Sequence, residues 1–311
     1  MAVTITAAMV KELRELTGAG VMACKNALVE TDGDRDKAIE VLREKGQATA
    51  VKKAGRIAAE GIVYTVIKDD KNAAIVEVNA ETDFVAKNEK FRTFVANVAN
   101  QVLDSSAADM DAFMSEAWAL DSSKTVKDEL VSQIAVIGEN MNIRRFDRLS
   151  GDVVVSYIHG GGRIGVLVAA DTDVVNDDVK AALVNVAMQV AALNAKYLSD
   201  DQVSEEFIAH EKEILMAQIE NDPKEAAKPE KVKLGMIQGR IKKELKEICL
   251  LDQVYVQAPD GKQTVAQYVD EVAKATGANL KLKSFIRFET GEGIEKKVDD
   301  FAAEVAAQAG M

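Results

Sequence analysis

The sequence predicts an α+β fold with antiparallel sheets, and three patterns support this class. Apolar residues recur with helical spacing over residues 1–56 and 200–249, whereas the continuous apolar runs typical of strands begin at residue 61. A unit of two strands, a threonine-aspartate turn and a helix occurs twice, with Thr82 and Thr172 90 residues apart (172 − 82). We therefore expect two duplicated α/β core subdomains accompanied by helices.

The predicted domains follow the changes in these patterns. An N-terminal three-helix module precedes the first core subdomain, and a coiled-coil hairpin interrupts the second core subdomain before a C-terminal helix. The boundaries are 1–56 for the N-terminal module, 57–140 for the first subdomain, 141–199 with 250–288 for the second, 200–249 for the hairpin and 289–311 for the C-terminal helical module.

Composition argues against several classes of protein. The chain of 311 residues has a formal net charge of −12, which disfavours direct nucleic-acid binding because phosphate contacts require clustered Lys and Arg. No run of about 18 apolar residues indicates a membrane span, and no signal peptide is visible. Cys24 and Cys249 lie far apart without metal-ligand spacing, so we expect a cytoplasmic protein without a membrane partner.

The N-terminal module is predicted to contain three short helices. Thr6 can cap the first helix, and residues 17–20 form a glycine-containing break before the second. Three helices of this length would form a bundle that resembles a ubiquitin-associated domain. Val21 and Met22 follow the break directly, and the simplest interpretation places both in the core of the bundle. Residues 47–59 are expected to be a linker or a helical tail.

The connection after the second strand of the first core unit is open to two interpretations. Strands at 61–67 and 73–78 predict a hairpin, and a short polar connection then leads into a helix. Phe84 lies in this connection. Its ring either folds under the sheet as core, which chemistry alone favours, or is presented to a partner by a rigid loop. The second copy has Val174 at the equivalent place, which favours presentation without deciding the question.

The remaining segments complete the two core units. Residues 104–125, with the single tryptophan Trp118, are expected to form a surface helix and loops. Residues 126–137 predict an amphipathic helix, and 142–149 predict a strand that enters the second subdomain. A helix at 264–276 and a strand at 280–288 are expected to complete the second subdomain.

Residues 200–249 combine dense charge with apolar residues at intervals of three and four. Asn221, Asp222 and Pro223 mark a turn near the middle of this segment. The pattern predicts an antiparallel helical hairpin with coiled-coil spacing. Two alternatives stay open: the hairpin is a dimerisation arm that joins a homodimer or heterotetramer, or it packs only on itself.

A glycine-rich string at Gly160, Gly162 and Gly165 matches G-x-G-x-x-G, but its context differs from a dinucleotide site. That fingerprint requires a strand before it and a helix after it, whereas apolar β-like runs flank the string on both sides. A hairpin turn is the simpler interpretation. His159 borders this turn and by itself indicates a structural or surface histidine. Because no nucleophile and base can be paired from spacing, we predict no active site, no cofactor and no enzyme.

Four blocks of this sequence resemble the family of bacterial translation elongation factor Ts. Their order is that of the family and they span nearly the whole chain. The block at 77–87 reads Glu-Val-Asn-Ala-Glu-Thr-Asp-Phe-Val-Ala-Lys and is very similar to one signature of the family. The other three lie at 13–28, at 137–145, and at 285–289 with 291–296.

The resemblance implies a guanine-nucleotide exchange factor for the GTPase elongation factor Tu. In the family, the Asp-Phe pair of the signature enters the partner beside its Mg²⁺ site, so that Mg²⁺ and GDP are displaced and GTP can load. The expected contact residues are Thr82, Asp83, Phe84 and Val85 at the turn, Leu13, Val21, Met22 and Lys25 toward the G domain, Asn79 within the signature, and His159 toward the partner's third domain.

Two other functions remain as alternatives. A binding adaptor or holdase would clamp partners with the helical module and hairpin and would not change nucleotide release. An enzyme that uses the glycine turn as a nucleotide loop is a more distant alternative, and it predicts that the chain alone binds a dinucleotide.

Overall fold

The computed structural model describes residues 3–295, and its N-terminal part contains the three predicted helices. These are α1 (Ala7–Thr17), α2 (Val21–Glu30) and α3 (Arg35–Lys53). The Thr6 side chain accepts a hydrogen bond from the backbone of Met9 and so begins α1, as its sequence position predicts. Helix α3 continues to Lys53, so most of the segment expected to be a linker or helical tail is helical.

The first sheet consists of three antiparallel strands in the order β1-β2-β5. Strands β1 (Glu60–Lys68) and β2 (Asn72–Ala80) form the predicted hairpin. The third strand, β5 (Met141–Ser150), pairs with β2 along its whole length. Our assignment of this strand to the second subdomain was wrong, because its hydrogen-bond ladder belongs to the first sheet.

The chain between β2 and β5 is mostly helical. The prediction for 104–125 needs one correction, because Trp118 is buried against Phe94, with ring centroids 6.0 Å apart. The elements in this part are α4 (Asp83–Ala86), α5 (Glu89–Asp104), α6 (Met110–Ser115), β3 (Ala117–Trp118), β4 (Asp121–Thr125) and α7 (Val126–Ile137).

The second sheet repeats the arrangement of the first. Its antiparallel order is β6-β7-β8, with β6 and β7 forming a hairpin and the more distant β8 pairing with β7. One helix packs on a face of this sheet, and a second packs against that helix in the same core. The elements are β6 (Val153–His159), β7 (Ile164–Asp171), α8 (Asp177–Leu193), α12 (Val265–Thr276) and β8 (Lys281–Glu289).

The two sheets pack against each other, and the helices cover their outer faces. Alternate residues of β2 point to opposite sides, so that Val76 contacts the helices of the first unit while Ile75 faces the second sheet. The resulting order is helix, sheet, sheet, helix. The core between the sheets contains Val63, Ala73, Ile75, Val154, Leu167, Ala169 and Phe288.

The predicted helical hairpin interrupts the second unit between α8 and α12. Helices α9 (Glu205–Asn221) and α11 (Glu230–Ile248) pack on each other, with the short α10 (Pro223–Ala226) at the turn. The C-terminal helix expected from residue 293 onward lies outside the described residues, apart from its first positions. Within residues 3–295, no helix has both the length and the apolar character that crossing a bilayer requires. The remaining domain boundaries stay predictions.

Candidate partner-binding site

The Phe84 turn, defined as residues 81–88, begins with a capped single turn of helix. Thr82 is the N-cap of α4, and its side-chain oxygen accepts a hydrogen bond from the backbone of Val85 at 3.4 Å. Val85 is partly buried against the first core, and Ala86 is buried. Phe84 points the other way, with 80% of its surface exposed. The structure therefore excludes the interpretation of Phe84 as core.

Asp83 is held by a local ion pair. Its carboxylate accepts a hydrogen bond from the Lys87 ammonium at 2.6 Å, one helical turn further along the chain. This hydrogen bond lowers the pKa of the exposed Asp83 carboxyl below the ordinary value of 3.8. Asp83 therefore presents a negative charge directly beside the exposed ring at neutral pH.

The third sequence block secures the base of the Phe84 turn. One oxygen of the Glu139 carboxylate accepts hydrogen bonds from the backbone of Glu81 and of Thr82, each at 3.0 Å, and the other accepts the Thr82 hydroxyl at 2.7 Å. In return, the Glu81 carboxylate accepts the backbone N–H of Asn140 at 2.6 Å. The resemblance pointed to this block, but sequence reasoning assigned no role to Glu139.

His159 lies at the predicted glycine turn. Strands β6 and β7 flank this turn directly, which confirms that the glycine string is a hairpin connection. The imidazole is exposed, and its Nδ1 lies 3.0 Å from the Tyr157 hydroxyl. The carbonyl of Gly162 accepts the backbone N–H of Val63 at 2.7 Å, and a Cβ on Gly162 would lie 2.8 Å from that of Ile62. Glycine is therefore required where the turn rests on β1.

Arg92 brings the two turns together, a contact that sequence reasoning missed. Its Nη1 donates to the carbonyl of Gly161 at 3.1 Å and approaches that of Ala86 at 3.5 Å. One oxygen belongs to the His159 turn and the other to the Phe84 turn. The guanidinium thus fixes the spacing between two segments that carry predicted contact residues.

The helical module exposes three of the four residues that were predicted there as contacts. Val21 and Lys25 are exposed, and Met22 is 63% exposed, so the core interpretation of Val21 and Met22 was wrong. Leu13 is 0% exposed and packs inside the module, because its position on α1 faces α2 and α3. Leu13 is therefore corrected from a contact residue to a core residue.

Asn79 is also buried and offers no surface to a partner. Its amide donates to the Glu77 carboxylate at 3.0 Å and to the Glu60 carbonyl at 3.1 Å. We correct Asn79 from a contact residue to a residue that supports the strand leading into the Phe84 turn.

Glu77, which sequence reasoning did not single out, is fully buried. Arg144 and Arg145 donate to its carboxylate at 2.9 and 2.5 Å, and the backbone of Gly291 donates at 2.7 Å. These contacts join the end of the first sheet to the segment that follows β8.

Comparison with known proteins agrees with the geometry. A family model described as Elongation factor TS matches residues 81–292, more than half of the chain. Elongation factor Ts of Clostridium tetani is 51% identical over 307 residues, covering 98% of this chain and 99% of that protein. Elongation factor Ts of Clostridium novyi is 49% identical over 307 residues, covering 98% of each. This chain belongs to the elongation factor Ts family.

Proposed function

We propose that this protein binds elongation factor Tu in its GDP form, displaces Mg²⁺ and GDP, and thereby allows GTP to load during translation elongation. The observation that carries the proposal is the exposed Phe84 ring on an anchored turn. An aromatic ring exposed to this extent gains free energy when a partner buries it. Membership of the family identifies the class of partner.

The exchange is a coupling of two binding equilibria and requires no covalent chemistry. Mg²⁺ bridges phosphate oxygens and protein ligands in GTPases, so loss of the metal weakens nucleotide binding. A factor accelerates exchange when it binds the nucleotide-free state more tightly than the loaded state. By reciprocity, nucleotide then expels the factor with the same coupling free energy.

The contacts divide between two parts of the partner. Phe84 and Asp83 act at the Mg²⁺ side of the G domain, and Thr82 and Val85 hold the turn that carries them. Val21, Met22 and Lys25 add an exposed apolar and basic edge toward the same domain. His159 reaches the third domain. Because Arg92 links the His159 turn to the Phe84 turn, the two contacts approach the partner in a fixed relative position.

Further parts of the proposal concern assembly and location. Residues 200–249 serve as the arm through which a homodimer or heterotetramer forms, and the protein works in the cytoplasm. The protein is not an enzyme and uses no cofactor of its own.

The test is the release of a fluorescent GDP analogue from purified elongation factor Tu, chased with excess GDP. Phe84→Ala is expected to lower the exchange efficiency at least tenfold, because truncating a central aromatic contact typically costs about 2 kcal/mol or more. The matched control is Val175→Ala, which truncates an exposed apolar residue in the equivalent turn of the second copy. The control should accelerate release as the unmodified protein does.

The outcomes separate the alternatives. If the unmodified protein binds the partner without accelerating release, the adaptor function replaces the exchange function. Equal acceleration by the unmodified protein and Phe84→Ala would keep the exchange function and move its origin to other contacts. Circular dichroism and thermal unfolding of Phe84→Ala check that the fold persists, as the exposure of this ring predicts.

A further inference from the structure

Thr82 and Thr172 occupy equivalent positions in the two copies, yet only Thr82 begins a helix. The Thr82 hydroxyl donates its single hydrogen to Glu139, which leaves its oxygen free to accept the backbone N–H of Val85. The Thr172 hydroxyl instead donates to the carbonyl of Val174 at 3.0 Å and accepts the backbone N–H of the same residue at 3.2 Å, two positions ahead rather than three, and an irregular segment follows. The hydrogen of the hydroxyl therefore goes to Glu139 at the helical turn and to the Val174 carbonyl at the irregular one.

The backbone N–H groups at the two turns also have acceptors from different parts of the chain. In the second copy, the Asp152 carboxylate accepts the backbone N–H of Thr172 at 3.1 Å. In the first copy, Glu139 accepts the backbone N–H of Glu81 and Thr82 together with the Thr82 hydroxyl. The three contacts of Glu139 fix the backbone of Glu81 and Thr82 and the side-chain rotation of Thr82, just before Phe84.

A second set of contacts keeps Glu139 in place. Its neighbour Asn140 is buried, donates its backbone N–H to the Glu81 carboxylate and donates its amide to the Arg56 carbonyl at 2.7 Å. Each of the acids Glu81 and Glu139 thus accepts backbone hydrogen bonds from the segment that carries the other. Hydrogen bonds to a carboxylate are stronger than those between neutral groups, so this reciprocal clamp is rigid.

We propose that Glu139 is a positioning residue that orients the Thr82 hydroxyl, begins α4 and thereby presents Phe84 to the partner. This role rests on the proposed exchange function. Glu139 acts through Thr82 and the backbone, and its contribution to exchange passes through the Phe84 ring.

The first experiment measures amide hydrogen exchange of the free protein and does not depend on the partner. In Glu139→Ala, the amides of Glu81, Thr82 and Val85 should exchange at least about tenfold faster, because the acceptors that protect them are lost or reoriented. Glu139→Gln retains one acceptor oxygen and should give an intermediate increase. The matched control is Glu129→Gln on α7, whose carboxylate pairs with Lys124 at 3.2 Å. This control should leave the three amides unchanged.

The second experiment is a double-mutant cycle in the GDP-release assay. Glu139→Ala should lower exchange efficiency about tenfold in the unmodified background, since losing charged hydrogen bonds has this scale of effect. In the Phe84→Ala background, Glu139→Ala should lower the exchange efficiency less than about twofold, because both residues act through one contact. Additive losses in the two backgrounds would overturn the proposal.

The two experiments test the proposed function and the positioning role of Glu139 independently. If the unmodified protein does not accelerate GDP release, the proposed function fails, and the amide exchange still decides whether Glu139 holds the turn. Unchanged exchange at Glu81, Thr82 and Val85 in Glu139→Ala would overturn the positioning role. If Glu139→Ala does not fold, Glu139→Gln takes its place in both experiments, with smaller expected changes in the same direction.

Discussion

The two copies of the core unit share their order of strands, turn and helix but differ at the turn. In the first copy, Thr82 caps a turn of helix and Phe84 projects into solvent. In the second copy, Val174 at the equivalent position is partly buried against its own core. The fold therefore does not require an exposed ring at this place. A residue that only one copy exposes is explained by binding, while a residue that both copies bury is explained by packing.

The inner faces of the two sheets show a second difference. With the offset of 90 set by Thr82 and Thr172 (172 − 82), Glu77 corresponds to Leu167 and Asn79 to Ala169. Leu167 and Ala169 pack in the apolar core between the sheets, whereas Glu77 binds Arg144, Arg145 and the backbone of Gly291. The buried acid therefore joins the segment that follows β8 to the first sheet.

The largest expected effect follows from giving the first copy the residue of the second. Glu77→Leu should lower the free energy of unfolding by about 3 kcal/mol, because two arginines, the Asn79 amide and a backbone N–H lose their acceptor. The value lies at the low end for buried ion pairs, since Arg144 and Arg145 are partly exposed and regain water. Urea unfolding followed by circular dichroism measures this loss of unfolding free energy.

The control for this change is Glu292→Gln, which removes a half-exposed partner of the same Arg145. It should change the free energy of unfolding by less than about 1 kcal/mol, the usual range for exposed ion pairs. A Glu77→Leu protein as stable as the unmodified one would show that the buried acid is dispensable and would remove this difference between the copies.

Swapping the side chains of the two turns should have smaller effects, and the affected property should differ: nucleotide exchange for Phe84 and stability for Val174. Phe84→Val should lower exchange efficiency about tenfold without lowering thermal stability, because the ring makes its contacts only in the complex. Val174→Phe should lower stability by about 1–3 kcal/mol through overpacking and leave exchange unchanged. Thermal unfolding and GDP release are measured on both variants. Recovery of exchange in the double variant would contradict the distinction between the turns.

The smallest effect concerns the acid that both copies keep. Asp83 accepts a hydrogen bond from Lys87, whereas Asp173 accepts the backbone N–H of Asn279 at 2.7 Å. Because the Lys87 hydrogen bond lowers the pKa of Asp83 below 3.8, its link to Lys87 is present at neutral pH. The link is lost only as the pH falls through this lowered pKa.

Lys87→Met should therefore raise the pKa of Asp83 toward 3.8, which an NMR titration of its carboxyl carbon measures. A matched Lys90→Met variant on α5 should leave the titration of Asp83 unchanged. An unchanged titration midpoint of Asp83 in Lys87→Met would show that the ion pair with Lys87 does not distinguish Asp83 from Asp173.

Most helices and strands could be predicted from the sequence because their signals are local. Thr6 and Thr264 begin helices through side-chain caps, and helix α7 follows the amphipathic pattern at 126–137. The repeated unit was visible because the order of apolar runs and turns is the same in both copies. The same local signals place Val21 and Met22 beside the glycine break, but they do not show which side of the bundle is covered.

The sequence by itself determined the α+β class, the duplicated unit, the helical hairpin and the membership of the family suggested by its motifs. The tertiary structure decided that Phe84 is exposed, that Leu13 and Asn79 are buried, and that β5 belongs to the first sheet. The physical reason is distance along the chain. Glu139 lies 57 residues from Thr82, and Gly291 lies 214 residues from Glu77, so neither contact appears in a local pattern.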